Sequence, residues 1–525
     1  MTGLAWLLNT FHQLRWPLLL GPLALLWLPW PAAGAGQAAA ERQAPATGAL
    51  DPLTGFNFQL TPAARRAYSE LLKLRPAPAR ALLLSEQQRA AGSAGTLLVA
   101  DCIEFTELMV TQDARRYEPL IEAQDERLAQ LEKSPEQTAL RAYAAAEIRL
   151  HQAAAQVAFQ HEIQGAWSMR QAYAGMQQVV RRYPSYLPAR KTLGMMQFFI
   201  GSLPEGYRWF LKLLGLPGSV EAGLLNLRVA AGQPNDFQPE ARIMLALVEE
   251  TYYKKTEQAV QLASSWAIQQ PDNLLFSYLA ISLNKRQHHT EAALAAYGAR
   301  PTGAGYLPVA YLHHMAADLL LYQGQYAASE RENLQFLREF QGQHYRKDAA
   351  FKLYLTAWLR GDKAAAERYR QQIARGGGRT VVEEDTYAQR FYDGRVPLNA
   401  TLTRARLQID GGYYSEALAT LDTFRPTHQT PLRDQIEAPY RRARAWQGLG
   451  RPDSARLLYR RTIAVAGNAP YYFAPQSALQ LGYLYQAEGQ KSTARAYFQK
   501  VLAYPKHEYK NSTDTKAKVA LQDLD

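Results

Sequence analysis

Cysteine is nearly absent from this sequence. Cys102 is the one cysteine among 525 residues, so the chain can form no internal disulfide, no cysteine-based zinc site and no dithiol redox pair. Strand patterns are also rare. Beyond about residue 61, almost no run of the sequence alternates apolar and polar residues, which is the pattern of a half-buried strand. Hydrophobic residues make up 47% of the chain and charged residues 20%, which excludes a disordered chain and a polytopic membrane protein. The sequence therefore predicts an all-α protein with a large core.

The charge balance is basic. The chain has 59 Lys and Arg against 47 Asp and Glu, a formal net charge of +12, and this surplus favours anionic partners such as acidic proteins or an anionic component of a cell envelope. The arginines cluster at Arg441, Arg442, Arg444, Arg456, Arg460 and Arg461. No nucleic-acid-binding signature accompanies them, so a nucleic acid is not expected as partner. Two interpretations stay open: solvated helix faces, or a groove that binds anions.

The first 35 residues have the pattern of a secretory signal peptide. Arg15 is the first charged residue and precedes an apolar run over residues 16–30, which ends before Ala33, Gly34 and Ala35. Cleavage near Ala35 predicts an exported protein, periplasmic or associated with the outer envelope, without a transmembrane domain after cleavage. The alternative is an uncleaved anchor, but the run is short for about 30 Å of hydrocarbon and three prolines interrupt it. Residues 36–60, rich in Ala, Gly and Pro at their start, then read as a flexible tether.

The C-terminal part of the chain contains helix-pair repeats. Gly482 and Tyr485 lie on one helical pattern, Gly489 stands at a turn, and Ala494 and Phe498 follow on the next helix. Small residues at the first and fourth of these positions let two helices cross closely, and aromatic residues fill the space beside them. This is the spacing of the tetratricopeptide repeat (TPR).

The same spacing recurs upstream. Equivalent positions are Ala443, Trp446, Gly450, Ala455 and Tyr459 in one copy, and Gly412 and Ala417 in another. Turn positions lie at residues 287, 324, 361, 412, 450 and 489. The interval between 361 and 412 is 51 residues, longer than the TPR period of about 34, and it marks an insertion at about 375–397. The sequence predicts a right-handed α-solenoid of antiparallel helix pairs over residues 237–505, followed by a capping helix at 506–525.

Residues 61–236 are predicted to be helical but not periodic. Helical patterns cover 97–112, 137–164 and a stretch that ends near 183. The segment 195–218 is then unusually apolar, with candidate docking residues Phe198, Phe199, Trp209, Phe210, Leu213 and Leu214. These side chains cannot share one face of a short helix. The segment is therefore either a buried plug or an exposed docking surface.

Two stretches resemble a known family. The order RYPSYLPARKTLG, SLPEGYRWFLKLLGLPG and EAGLLNL, together with the C-terminal HEYKNSTDTKAKVALQDL, is similar to bacterial relatives of the inclusion-body-clearance (Iml2-like) branch of TPR proteins. The resemblance covers residues 140–525. It implies an interaction protein of TPR fold without established catalytic residues.

The histidine groups are the most metal-like features of the sequence. His288 and His289 precede Glu291, and His313 and His314 precede Asp318. Adjacent helical residues point about 100° apart, so neither pair can chelate one ion as residues at i and i+4 can. The sequence therefore predicts packing or surface histidines and no metal site.

Other catalytic patterns are weak as well. The three glycines at 376–378 lack the following Lys-Ser/Thr of a phosphate-binding loop. Cys102 lies in an apolar helical pattern, which is typical of a buried thiol rather than a nucleophile. The sequence predicts no catalytic residue and no cofactor.

The function that follows is protein interaction. The leading prediction is an exported, non-catalytic TPR scaffold that binds a protein or peptide in its groove. The alternative is a glycan- or lipid-binding envelope protein that uses an aromatic groove or the segment 195–218, since the chain has 31 tyrosines and nine tryptophans; an enzyme comes third. Arg, Lys and Asn on the concave surface would favour peptides, whereas coplanar Tyr or Trp pairs would favour sugars.

Overall fold

The computed structural model describes residues 56–90, 92–202, 215–253, 256–377 and 382–524. Over these ranges the chain forms helices joined by turns and contains no strand. The all-α prediction is confirmed. Among the described helices, none combines the length and apolar character that a membrane crossing requires.

Eight α-helices of the N-terminal region lie within the described ranges. They are α1 (Pro62–Leu72), α2 (Pro76–Ala90), α3 (Ala94–Thr111), α4 (Tyr117–Lys133), α5 (Ala139–Ala158), α6 (Glu162–Arg182), α7 (Leu187–Gly201) and α8 (Val220–Gly232). Side-chain caps fix several starts: Thr61 and Ser93 accept hydrogen bonds from backbone N–H groups in the first turns of α1 and α3. The most extensive contacts are those of α5 with α6 and of α7 with α8.

The break after α5 comes earlier than the sequence pattern indicates. The predicted helix 137–164 ends at Ala158, and Gln160 adopts a left-handed φ of 69°. Gly165 lies inside α6 instead of at the break. A Cβ atom at Gly165 would lie 2.5 Å from the Val157 side chain, so the glycine serves the close packing of α6 on α5.

The residues before α1 are packed, although the sequence places them in the tether. Leu60 is buried, and its N–H donates to Asp236 at 2.8 Å. The Asn57 side-chain oxygen accepts from the Leu187 N–H at 2.7 Å, and Phe56 makes an edge contact with Tyr186. The tether prediction therefore extends too far, by at least residues 56–60.

Residues 238–253, 256–377 and 382–522 form a succession of helices, most of them arranged in pairs. They are α9 (Gln238–Tyr253), α10 (Thr256–Gln269), α11 (Leu274–Arg286), α12 (Thr290–Ala299), α13 (Tyr311–Tyr322), α14 (Tyr326–Glu339), α15 (Arg346–Leu359), α16 (Lys363–Arg375), α17 (Glu383–Tyr392), α18 (Ala400–Asp410), α19 (Tyr414–Asp422), α20 (Leu432–Gly448), α21 (Pro452–Ala466), α22 (Phe473–Ala487), α23 (Lys491–Ala503) and α24 (Lys510–Gln522). Consecutive helices pack on one another, apart from α17 and α18, and first helices of successive pairs also touch, as α18 does with α20 and α20 with α22. This is a TPR-like α-solenoid.

The insertion contains a helix of its own. α17 lies within residues 375–397, packs on α15 and α16, and has no second helix of a repeat. At its C-terminal end Arg390 bonds to Glu508 at 2.8 Å, just before α24. The extra helix therefore links the middle of the solenoid to its C-terminal end.

Candidate functional site

The repeat-signature residues lie in the interfaces within and between helix pairs. The side chains of Ala417, Ala443, Ala455, Tyr459, Ala494 and Phe498 are fully buried, Tyr485 is nearly so, and Trp446 is half-buried. A Cβ atom at Gly482 would lie 2.3 Å from the Phe498 ring, which is the close crossing of α22 and α23. The turn residues Gly412, Gly450 and Gly489 all have positive φ. These positions pack the scaffold and leave its surface to other residues.

Part of the apolar segment 195–218 lies outside the residues that the structure describes. Phe198 and Phe199 are 3% and 6% exposed on α7 and belong to the main core. Trp209, Phe210, Leu213 and Leu214 lie outside the described residues. Of the six predicted docking residues, the structure thus places two in the core, where neither can serve as an exposed contact.

An open cavity lies among the first helices of the repeats. It has a volume of about 500 Å³ and is lined by α13, α15, α17, α18, α20, α22 and α24, with the turns before α18 and α24. We call it the groove. In a solenoid the first helices line the surface that is free to bind a partner, so the groove is the candidate functional site.

The charges of the groove balance in number and separate in space. Its acidic side chains are Asp348, Glu383, Glu384, Asp410, Glu437 and Glu508, and its basic ones are Lys352, Arg406, Arg433, Arg441, Arg444 and Lys516. Four of the basic side chains are arginines on α18 and α20, whereas α15 and α17 carry three of the acidic ones. We call these the arginine wall and the acidic wall.

Glu437 organises the arginine wall. Its carboxylate accepts from Arg433 Nη1 at 2.6 Å and from Arg441 Nε and Nη2 at 2.9 and 2.8 Å. Burial would raise the pKa of Glu437, but Arg441 and Arg433 outweigh it and lower that pKa. Arg441 also donates to the Tyr472 hydroxyl at 3.1 Å. Two guanidinium groups are thereby fixed by one carboxylate.

Arg406 has fewer hydrogen-bond partners in the described structure than Arg441 has. Its Nη1 donates to the Tyr387 hydroxyl on α17 at 3.1 Å, and its buried Nε has no hydrogen-bond partner in the described structure. Burial opposes the charge of Arg406, but Tyr387 and Asp410 outweigh it and raise its pKa. Asp410 acts in the same direction on the pKa values of Arg441 and Arg444. The Asp410 carboxylate therefore lies close enough to stabilise the charge of all three arginines.

The acidic wall also carries an unsatisfied atom. Oε2 of Glu384 is buried and has no hydrogen-bond partner in the described structure. Burial and the neighbouring Asp348 raise the pKa of Glu384. Lys352, the basic residue of this wall, bonds to Asp348 at 2.7 Å and to Asp318 at 2.5 Å. Its charge is thus already shared between two carboxylates.

The tyrosines of the groove meet edge to face. Tyr440 and Tyr472 have an interplanar angle of 83°, and Tyr472 and Tyr509 one of 84°. Neither pair offers the parallel ring faces on which a sugar would stack.

A second polar cluster is buried in the N-terminal region. Lys191 bonds to Glu147 at 3.0 Å and to Glu240 at 2.9 Å, and Tyr68 donates to Glu240. Thr192 donates to the other Glu147 oxygen at 2.7 Å. The adjoining cavity is only about 20 Å³. Such a space holds about one water molecule, which is too little room for a substrate.

Cys102, His313 and His314 are buried or hydrogen-bonded to neighbouring side chains. Burial raises the pKa of Cys102 well above its ordinary value, which disfavours the thiolate. His313 bonds to Glu332 at 2.6 Å, and His314 bonds to Asp348 and Asn333, each at 3.0 Å. No cluster of three His, Cys, Asp or Glu side chains in the described part of the chain has the arrangement of a metal site.

Sequence reasoning missed most of the groove. Arg433, Glu437 and Arg441 are spaced at i, i+4 and i+8, a pattern that does signal one charged helix face. Arg406 and Glu384 carry no such signal, because they lie on two different helices, α18 and α17, and no local spacing encodes their proximity.

Comparison with known proteins adds remote likenesses only. No protein-family model and no curated protein matches the chain. Among solved structures, the chain is similar to the P58(IPK) TPR domain, with 12% identity and a TM-score of 0.22 over 79% of this chain and 98% of that one. It is also similar to the APC/C hetero-tetramer Cut9–Hcn1, with 11% identity and a TM-score of 0.22 over 89% of this chain and 96% of that one. At these values the likeness carries no information about the partners of this chain.

Proposed function

We propose that this protein is a non-catalytic scaffold whose groove holds a segment of a partner protein. The observation that carries the proposal is the groove itself: about 500 Å³, built by the first helices of consecutive repeats, with charged side chains of both signs on its walls. A peptide offers the matching chemistry, because it carries backbone hydrogen-bonding groups together with acidic and basic side chains.

The composition of the walls favours a peptide over a glycan. Arginines and Asn399 line the groove, and arginine forms directed hydrogen bonds to carboxylates. The tyrosine rings stand nearly perpendicular to one another, so they provide no stacking platform. Parallel ring pairs would favour a glycan, and these two pairs of the groove lack that arrangement, so the glycan alternative is the weaker one.

We infer further that the scaffold works outside the cytoplasm. This rests on the sequence of residues 1–35, where a basic residue, an apolar run and Ala33-Gly34-Ala35 follow one another. The mature chain should then begin at or near Gly36. Intact-mass measurement on protein from the native host tests this, and an unprocessed Met1 in the membrane fraction would contradict it.

A photo-crosslinking experiment tests the groove. Ser512 lines the groove and is exposed, whereas its neighbour Asn511 is exposed and does not line the groove. A benzophenone side chain at position 512 should capture a defined partner segment in the native host, and the same group at position 511 should not. Equal crosslinking from both positions would place the interaction elsewhere.

A further inference from the structure

We propose that the groove contains a dipolar subsite, in which Arg406 binds a carboxylate of the partner segment and Glu384 binds a basic side chain of the same segment. This inference rests on the proposed function, because it names the chemistry that the groove recognises. It predicts a peptide motif with an acidic and a basic residue close together in sequence.

Each wall presents one buried atom of a charged side chain that has no hydrogen-bond partner in the described part of the chain. These atoms are Nε of Arg406 and Oε2 of Glu384. A buried group of a charged side chain is costly to leave unpaired, and both side chains line the same cavity. A ligand with a carboxylate at one end and an ammonium or guanidinium at the other would place the opposite charge beside both side chains.

The net charge of the arginine wall also favours an anionic group of the ligand. It holds Arg406, Arg433, Arg441 and Arg444. Glu437 bonds to the second and third of these, and Asp410 is the other carboxylate of α18 and α20 that lines the groove. Positive charge therefore exceeds negative charge on this wall. A carboxylate from a ligand would neutralise part of that surplus.

The acidic wall disfavours ligands that carry several negative charges. Glu383, Glu384 and Asp348 face the same cavity, so a ligand with several negative charges would meet carboxylates opposite the arginines. A basic group in that place is attracted instead, and it would favour the ionised form of Glu384, whose pKa burial and Asp348 now raise. The groove thus selects a ligand of mixed charge.

The side chain of Tyr387 connects the Glu384 end of the subsite with the Arg406 end. Tyr387 follows Glu384 by three residues on α17, about one helical turn. Its hydroxyl accepts the hydrogen bond from Arg406. The carboxylate and basic group of the ligand therefore need to lie only a few residues apart.

Calorimetric titration of the chain from residue 36 with the blocked peptide acetyl-Glu-Ala-Lys-amide tests the subsite. Two blocked peptides of uniform charge, with Glu or Lys at both ends, serve as ligand controls. R406Q and E384Q should each weaken binding of the mixed peptide by about tenfold or more. R404Q alters an exposed arginine on the same helix α18 and should bind as the unaltered chain does.

Asp410→Asn separates a binding role from a folding role. Removing this carboxylate frees positive charge on the arginine wall, so D410N should bind the mixed peptide more tightly than the unaltered chain. Thermal melting checks that each variant is folded. The proposal is overturned if folded R406Q binds normally, if D410N shows no gain, if the peptide with two Glu residues binds as well as the mixed one, or if no peptide binds. Crosslinking from Ser512 with any of these results would leave the groove a protein-binding site and remove only the subsite.

Discussion

His288 and Asp410 are joined by a hydrogen bond across 122 residues of sequence: His288 Nδ1 donates to the Asp410 backbone oxygen at 2.7 Å. Beside it, the Thr290 hydroxyl donates to the Gly411 oxygen at 2.8 Å. The turn between α11 and α12 therefore touches the turn between α18 and α19, and α13 also contacts α18. Solenoid repeats ordinarily contact their neighbours only. Here the curvature brings distant turns together beside the groove.

Gly412→Ala should open this contact. Gly412 has a φ of 85°, and a Cβ atom there would lie 2.1 Å from the His288 carbonyl oxygen. A left-handed residue with a side chain costs about 1 to 2 kcal/mol, and the clash adds a cost of about 1 to 3 kcal/mol. Thermal unfolding of the variant should show the combined loss.

Gly450→Ala is the matched control for that change. Gly450 stands at the equivalent turn of a later repeat with a φ of 68°, and nothing lies within 4 Å of the position of a Cβ atom. It should lose only the cost of the left-handed backbone. Equal destabilisation of the two variants would show that the contact between turns contributes nothing.

Gly482→Ala should destabilise the last repeat. The added Cβ would lie 2.3 Å from the buried Phe498 ring, and overpacking of this kind costs about 1 to 3 kcal/mol. Gly232→Ala serves as control, because that glycine is also helical and has open space around it. Urea unfolding should separate the two, and an unchanged midpoint for Gly482→Ala would contradict the crossing.

Local spacing explains how much of the fold could be predicted. Gly450 and Gly489 mark turns and Ala494 marks a crossing because helices about 34 residues apart must pack on one another. The contact of His288 with Asp410 follows no such period. It depends on the accumulated rotation of several repeats and on α17, whose helix the sequence pattern did not reveal inside the insertion.

The site was harder to predict than the fold for the same reason. The i, i+4 spacing of Arg433 and Glu437 is visible in the sequence, but the open choice between solvated faces and an anion groove rested on the net charge and on the arginine cluster from Arg441 to Arg461. Whether a charged atom is left without a partner depends on side chains from other helices. Arg406 meets Tyr387 of the insertion helix, and no sequence pattern encodes that meeting.

Lys191→Met should strongly destabilise the N-terminal region. Lys191 is 1% exposed and bonds to Glu147 and Glu240. Methionine fills a similar volume but leaves two buried carboxylates without their cation, a loss of about 3 to 5 kcal/mol. Calorimetry should record a lower melting temperature and unfolding enthalpy.

The same cluster provides its own control. Adding Glu147→Gln and Glu240→Gln to Lys191→Met removes the unpaired charges, and the Thr192 and Tyr68 hydroxyls keep an oxygen to which they can donate. The triple variant should therefore recover part of the lost stability. A triple variant less stable than Lys191→Met alone would show that the carboxylates are not the source of the loss.

The stability of the folded chain should depend on pH through His151. Its Nδ1 bonds to Asp101 at 2.6 Å, and its ring stacks on Phe105. Burial would lower the pKa of His151, but the hydrogen bond and charge of Asp101, with Glu147, outweigh it and raise that pKa. The protonated ring is thus better stabilised in the folded chain than in the unfolded one.

The sign of the pH dependence follows from this shift. A raised folded pKa gives stability that is complete below the unfolded histidine value of about 6.5 and is lost as pH rises through the folded pKa. His344 opposes this effect, because burial lowers its pKa. Melting temperatures of the unaltered chain and of His151→Gln should therefore be compared at each pH, so that His344 cancels. The advantage of the unaltered chain should be largest below about pH 6.5 and should shrink at higher pH; an advantage that is constant or grows would mean that His151 is neutral in the fold.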